Sequence, residues 1–416
     1  MKMTSVTNIL EPLTPLQRIE YVLMAVAMAV LPLSLNISVY AVYAAIVAGV
    51  VNLVVGHERL SSRVGARDRR ALPIFGAAVL LWLCYAVSLL WTTNLAEGLL
   101  RVSKLLPLLL LALYFVAAAP AIYTPRRIRA AFWLQAAVLV VLFAVCAVRM
   151  LWRILFQGAS YSQLSGSGFY PLHHAYMAYF LLVAVGFVYS RAVELWPRLA
   201  TGVKVAMVAA IVALSSFIVA VNSRAGIIGL AIVALIVLCH ITFVRRQWRA
   251  ALIVGVAMLL FGGGVAALLP RSEHRLTNTF ESDGSTSDAR VIIYTTALDA
   301  ICHQPWGYGA GDYMDVLGQY YLMHNYEHGY TERQNSHNQY LDTMLAAGWP
   351  AEVLLLALLL LFALWALRRR NVAALIFIVV TAENLLFEAM FYRQWGLLFF
   401  CIVYGLFLQQ SNKKIT

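Results

Sequence analysis

The sequence predicts an all-α membrane protein that crosses the bilayer many times, and three observations carry that prediction. Of 416 residues, 62% are hydrophobic and 12% are charged, against about 25% charged in an ordinary soluble domain. The apolar residues fall in continuous runs close to the ~20 residues a membrane-spanning helix needs, whereas a barrel strand alternates. Basic residues gather in every second connection between those runs, as cytoplasmic loops do. Together these exclude a soluble enzyme, a disordered chain, a repeat solenoid and an outer-membrane barrel.

The runs mark about twelve helices: 21–35, 37–56, 72–91, 103–119, 129–149, 172–190, 203–221, 225–243, 250–269, 350–367, 372–389 and 394–408. Pro32 and Asn36 separate the first pair, and Asn222 to Ala225 separate the seventh from the eighth. The chain thus reads as nine helices over 1–269, a large loop over 270–349, and three helices with a tail over 350–416. Glu11 and Glu20 in the first 20 residues argue against a cleavable signal peptide. Cys84, Cys146, Cys239, Cys302 and Cys401 form no CxxC pair and read as small buried hydrophobes, with no disulfide framework.

Charge sets the topology. With the N-terminus in the cytoplasm, 21 of the 31 basic residues lie on cytoplasmic segments, including Arg59, Arg63, Arg67, Arg69 and Arg70, Arg126, Arg127 and Arg129, and Arg368 to Arg370. Both termini are then cytoplasmic. The net charge of +12 becomes a topology signal facing anionic lipid, not a sign of nucleic-acid binding. The other ten basic residues need a separate reason: Arg101, Lys104, Arg149, Arg153, Arg224, Arg271, Arg275, Arg290, Arg333 and Arg393.

The 270–349 loop lies on the outer side and holds ten of the nineteen acidic residues. Loops of this length are usually functional or disordered, and this one has helical spacing at Val291, Ile292, Tyr294, Thr295, Leu298 and Ile301. Pro305 to Gly311 is a turn-rich break, and Asp312 could cap a second helix running to about Tyr326. Tyr308, Tyr313, Tyr320, Tyr321, Tyr326 and Tyr330 could stack on sugars or pack the loop on itself.

Several outer residues could carry chemistry. Arg224 places a guanidinium in a tight outer turn, and Arg290 opens the first loop helix. Arginine's planar fork suits phosphate, and two arginines suit a diphosphate. Arg101, Lys104 and Arg153 stand at outer helix ends; His173 and His174 open the sixth helix. His337 lies in a dense polar segment, Gln334 to Tyr340, where the loop rejoins the membrane; an imidazole can accept a proton near neutral pH. Glu388 could pair with Arg393, and Glu383 lies deeper in the same helix. His324 and His328 lack the glutamate of a zinc-binding HExxH, and Glu281, Asp283 and Asp288 lack an EF-hand pattern, so no metal is expected. The sequence has no P-loop and no dinucleotide fingerprint, so no cofactor is expected either.

Three elements in order resemble the bacterial O-antigen ligases, a superfamily shared with O-antigen polymerases and pilin O-oligosaccharyltransferases. They are the turn Ser223-Arg224-Ala225-Gly226, the Arg290 helix followed by Pro305-Trp306-Gly307-Tyr308-Gly309, and His337-Asn338 followed nine residues later by Gly348. Ala351 departs from the Gly, Thr or Tyr often found there. The resemblance implies a GT-C-like glycosyltransferase of the bacterial inner membrane with its active site in the periplasm. It implies a glycan donor on undecaprenyl diphosphate and a lipid A–core acceptor, with metal-independent, inverting transfer. His337, Arg224 and Arg290 become the expected catalytic residues, and Lys104, Arg101, Arg153, His174 and Asn338 the expected substrate contacts. A polymerase or a protein O-oligosaccharyltransferase would use the same donor. A lipid-linked glycan transporter would show internal repeats and broken helices at the midplane, and no clear repeat is present.

Overall fold

A computed structural model describes residues 9–56, 59–159, 169–170, 172–268 and 287–409, and the side chains of these except 261–268 and 287–288. Arg271, Arg275, Glu281, Asp283, Lys2, Lys413 and Lys414 lie outside the described residues, as does the side chain of Asp288. Among the described residues the regular structure is helical throughout. In chain order the helices are α1 (Pro15–Val30), α2 (Leu35–Val55), α3 (Leu60–Gly65), α4 (Leu72–Val87), α5 (Leu95–Lys104), α6 (Leu106–Ala117), α7 (Pro125–Gln157), α8 (His174–Leu195), α9 (Thr201–Ala220), α10 (Arg224–Cys239), α11 (Trp248–Leu268), α12 (Ser287–His303), α13 (Tyr313–Met323), α14 (Glu327–Thr331), α15 (Gln339–Arg368), α16 (Val372–Phe387) and α17 (Gln394–Leu408).

Among the described residues, eight helical stretches are long and apolar enough to cross a membrane, including Leu72–Trp91, Leu95–Ala117 and Gln339–Arg368. The shorter apolar helices Trp248–Leu260, Val372–Phe387 and Gln394–Leu408, with α1, stand at the other four expected positions. Local chemistry starts many of these helices. Thr14 and Gln17 form a capping box ahead of Pro15, and Ser34, Asn94, Ser223 and Asn338 each cap a helix through a side-chain oxygen. The sequence reading begins a helix at 350; a further helical stretch, Gln339 to Ala347, precedes it, and the two halves of α15 meet at a kink where Gly348 is non-helical. Cys239 and Cys302 are exposed, so not every cysteine is the buried hydrophobe expected.

The chain divides into two compact units that cut across its linear order. One comprises residues 1–135, 292–369 and 388–416; the other comprises 136–291 and 370–387. In the first, α15 packs along α4, α4 along α6, and α17 along α6. Gly405 lets α17 approach the Phe115 ring, where a Cβ would sit 2.1 Å from the ring edge. The C-terminal end of α6 is held by arginines counted above as topology signals. Arg63 donates to the carbonyl of Ala117 and Arg67 to those of Val116 and Ala118, so both are buried. Arg127 is likewise buried, donating to Ile9 and Glu11 carbonyls.

In the second unit α8 is central, with α9, α10 and α16 packed on it. Glycines set the spacing: Gly186 meets Ile376, Gly226 meets Ala178, and Gly229 meets Leu182 and the Glu383 carboxylate. Tyr179 and Thr381 exchange a 2.7 Å hydroxyl bond inside this unit, and the Asn384 amide donates to Glu383 at 2.7 Å.

Candidate active site

His337 stands at the mouth of α15. Its backbone is left-handed, with φ 46°, a region that histidine visits more readily than most residues but still at a cost of about 1–3 kcal/mol. Two bonds hold it there. His337 N donates to Asn335 Oδ1 at 3.0 Å, and its carbonyl accepts from the Tyr294 hydroxyl at 3.4 Å. The imidazole is 35% exposed as a side chain, and its Nδ1 lies 3.7 Å from Glu388 Oε2, which is only 11% exposed. A buried carboxylate therefore stands behind a reachable imidazole. The sequence reading expected Arg393 beside Glu388; the partner found is His337.

Asn338, expected as a substrate contact, has a local task at the start of α15. Its Oδ1 accepts from Tyr340 N at 2.9 Å and Leu341 N at 3.3 Å, so it caps α15 and is buried. The next turn is also fixed: Gln339 accepts from Phe391 N at 2.7 Å and donates to Thr343, which bonds Tyr85.

The nine-residue spacing to Gly348 has a structural cause. Gly348 takes φ 75° and ψ −176°, a conformation essentially restricted to glycine. The carbonyls freed near the kink are taken by the Pro305–Gly311 segment. Tyr308 N donates to Leu345 O at 2.7 Å, Gly309 N to Ala346 O at 3.1 Å, and Trp349 N to Pro305 O at 3.0 Å. A Cβ on Gly348 would lie 2.3 Å from Trp306 O, and one on Gly307 would lie 2.5 Å from Gly348 N. Two of the three motif elements are therefore halves of one backbone interlock. Its far side is anchored too: Asp312 accepts from Thr93 N and Asn94 N, both at 2.7 Å, and does not cap α13 as expected.

Arg101 is committed to the protein. It is buried, pairs with Asp342 at 2.5 Å, donates to the Tyr392 carbonyl, and lies 4.3 Å from the Tyr392 ring centroid. Tyr313 stands on another side, 5.6 Å away, and burial raises its hydroxyl pKa well above the ordinary value, so it stays neutral beside the cation. This knot makes Arg101, expected as a substrate contact, a tie between α5, α13 and α15. The loop tyrosines mostly pack inward: Tyr313 and Tyr321 are fully buried and Tyr308 donates to the Ala300 carbonyl. Arg333 pairs with Asp315 at 2.5 Å on the surface.

In the second unit, the Ser223–Gly226 turn assigns a backbone task to three of its four residues. Ser223 Oγ accepts from Gly226 N at 3.1 Å, Ala225 is buried, and Gly226 packs on Ala178. Arg224 is the first helical residue and stays half-exposed. Arg290 is also half-exposed, with its guanidinium 5.9 Å from the Phe387 ring centroid. His174 stacks on His173 with centroids 4.3 Å apart. Arg153 on α7, in this unit, and Lys104 on α5, in the first, are each half-exposed. Among the described residues no three His, Cys, Asp or Glu side chains come together to hold a metal ion.

Sequence reasoning missed the His337–Glu388 pair and the Arg101–Asp342 pair, because each joins residues far apart in the chain. The available signal was Glu388 itself, an acidic residue just past the outer end of an apolar helix. Residues 209–356 match a family model described as O-antigen ligase, just over a third of the chain. That span contains Arg224, Arg290 and His337. It supports a glycosyltransferase-type membrane enzyme of the O-antigen ligase and polymerase kind. A search of curated proteins finds no match to the chain.

Proposed function

We propose that this protein is an O-antigen ligase with twelve membrane crossings and a GT-C-like architecture. It would work in the bacterial inner membrane, with both termini cytoplasmic and the chemistry on the periplasmic side. It transfers a glycan from undecaprenyl diphosphate to a sugar hydroxyl of lipid A–core. The observation that carries this reading is the His337–Glu388 pair, a reachable imidazole backed by a carboxylate, inside a segment of ligase-family similarity.

The chemistry follows from the side chains. The acceptor oxygen attacks the anomeric carbon, the bond from that carbon to the phosphate oxygen breaks, and the diphosphate leaves with the electron pair on the opposite face, inverting the centre. His337 takes the hydroxyl proton on Nε2 while Glu388, 3.7 Å from Nδ1, offsets the imidazolium charge. Arg224 and Arg290 bind the diphosphate as its charge grows. Lys104, Arg153 and His174 are secondary contacts to the donor.

The test is reconstitution with lipid-linked glycan and lipid A–core, without ATP and in EDTA. Glycan-laddered lipopolysaccharide is expected. Laddering of the lipid-linked donor alone would assign a polymerase, and transfer only to protein an oligosaccharyltransferase. Loss of activity in EDTA, restored by Mg²⁺ or Mn²⁺, would overturn the metal-independent mechanism.

A further inference from the structure

Two antiparallel helices of the first unit carry exposed apolar stripes that end at the same place. On α4 and the turn after it the stripe is Leu80, Leu83, Val87 and Leu90; on α15 it is Val353, Leu356, Leu360, Leu364 and Leu367. Both stripes stop at tryptophan. Trp91 follows Leu90, and Trp349 precedes Val353 by one helical turn. Trp306, carried by the Pro305–Gly311 segment, meets Trp349 edge-on with centroids 5.3 Å apart. The knuckle is exposed in spite of its size: Leu90 at 84%, Trp306 at 59%, Trp349 at 45% and Trp91 at 43%. Trp91 Nε1 is satisfied by the Gly307 carbonyl at 3.2 Å, and the neighbouring connection is polar at Thr92, Thr93, Asn94 and Asp312.

The opposite ends of both stripes are basic. Arg69 and Arg70 precede α4, and Arg368 and Arg369 end α15. At 1.5 Å per residue, Arg70 to Trp91 spans about 31 Å and Trp349 to Arg368 about 28 Å. Each is close to the ~30 Å hydrocarbon thickness of a bilayer. Two helices of opposite direction thus measure the same slab, bounded by indole on one side and guanidinium on the other, the arrangement that headgroup-level aromatics and anionic lipid favour.

We propose that Trp91, Trp306 and Trp349, with Leu90, form a docking knuckle for the phospholipid headgroup–acyl boundary, and that this knuckle fixes the depth of α15 in the bilayer. The hydrocarbon then begins at the Gly348 kink. The Gln339–Ala347 half of α15 stands above it, with His337 at its outer end. The proposal is independent of the glycosyl-transfer reading, since it rests on length, exposure and side-chain type alone.

Single-cysteine proteins labelled with an NBD fluorophore in phosphatidylethanolamine–phosphatidylglycerol nanodiscs test it. Labels at Leu90→Cys and Trp306→Cys are compared with Leu360→Cys and Glu332→Cys in a background lacking the five native cysteines. Nitroxide near the headgroup is expected to quench the labels at 90 and 306 at least twofold more than nitroxide at acyl carbon 12. The label at 360 should show the reverse order, and the label at 332 should respond only to aqueous iodide. Combining Trp306→Ala with Trp349→Ala should at least double iodide access at 90. Labels at 90 and 306 that behave like the one at 332 would overturn the proposal. So would labels shielded from both iodide and lipid, which would put a protein partner on the knuckle. Leu90 is almost wholly exposed, so its variant decides the matter even where a tryptophan variant misfolds.

Discussion

Ser223 opens α10 and Asn338 opens α15 in the same way, each accepting backbone N–H groups at the first turn. In both segments a glycine serves a close approach, Gly226 against Ala178 and Gly348 against Trp306. Each segment also carries one residue that we propose acts in transfer: Arg224 in the turn and His337 at the mouth of α15. Their electrostatics differ. Arg224 is a cation at a helix N-terminus, where the partial charge is already positive. That position is unfavourable for the helix and favourable for an anion such as phosphate. His337 faces a buried carboxylate instead. On the proposed reading, the same local architecture would present an anion site in one unit and a proton acceptor in the other.

The sharpest way to break this comparison is to remove the proton acceptor. His337→Ala and His337→Gln should lower transfer by about 10²–10⁴, the usual worth of a positioned base, with donor binding retained. Glu388→Gln should lose less and change the shape of the pH–rate profile, because it leaves the imidazole but removes its carboxylate. Full activity in well-folded His337→Gln would end the base assignment. Loss of donor affinity alongside rate would move His337 to the anion side of the comparison.

Arg224→Ala comes next, with a loss of about 10²–10³ in rate. The comparison adds a second readout. Removing a cation from a helix N-terminus should leave thermal stability unchanged or raise it, by about 0.3–1 kcal/mol. A structural arginine would do the opposite. Arg224→Lys should restore only part of the activity, since an ammonium lacks the planar fork. A drop in Tm with normal turnover in the surviving protein would remove Arg224 from the chemistry.

Gly348→Ala tests whether the spacing from His337 matters through the backbone. An alanine there has an unfavourable φ and meets the Trp306 carbonyl. It should cost about 1–3 kcal/mol of stability and release the Pro305–Gly311 segment, seen as faster amide exchange at Tyr308 and Gly309. Gly226→Ala meets only the Cβ of Ala178 and neighbouring side chains, so it should leave those two amides protected. Equal exchange in the two variants would mean the interlock does not depend on the kink.

The positions of the helices were legible because a 20-residue apolar run has few other meanings, and the functional candidates because charge at a membrane edge is costly. What the sequence hid lies in pairings between distant segments. Asp342 to Arg101 and Glu388 to His337 each join separate helices or loops, and no local pattern announces them. The helical stretch ahead of the kink was hidden for another reason: Gly348 interrupts the helix, and the amides of Tyr308 and Gly309, far off in the chain, take the carbonyls of Leu345 and Ala346 there. Basic residues misled in a third way. Arg63, Arg67 and Arg127 satisfy the positive-inside rule and also fill orphan carbonyls, and composition alone cannot separate those two uses.

The smallest expected effects concern the two caps. Ser223→Ala and Asn338→Ala each remove a side-chain oxygen that accepts a backbone N–H, which costs about 0.5–2 kcal/mol. Asn338 serves two amides, at Tyr340 and Leu341, and Ser223 one, at Gly226, so the loss should be larger for Asn338. Both should lower Tm while leaving turnover per folded molecule within a few-fold of normal. Aspartate should replace Asn338 well on stability grounds, because a carboxylate caps as well as an amide and favours a helix N-terminus. It would also bring a negative charge beside His337. If His337 is the proton acceptor, Asn338→Asp should retain stability and shift the pH–rate profile, since it places a charge beside the imidazole. The same substitution at Ser223 would put a carboxylate beside Arg224 and compete with a diphosphate, raising the apparent KM for the donor. A pH shift at 338 together with a KM shift at 223 is the pattern the comparison requires. Identical responses at the two caps would mean that the two helix openings do not divide the chemistry between them.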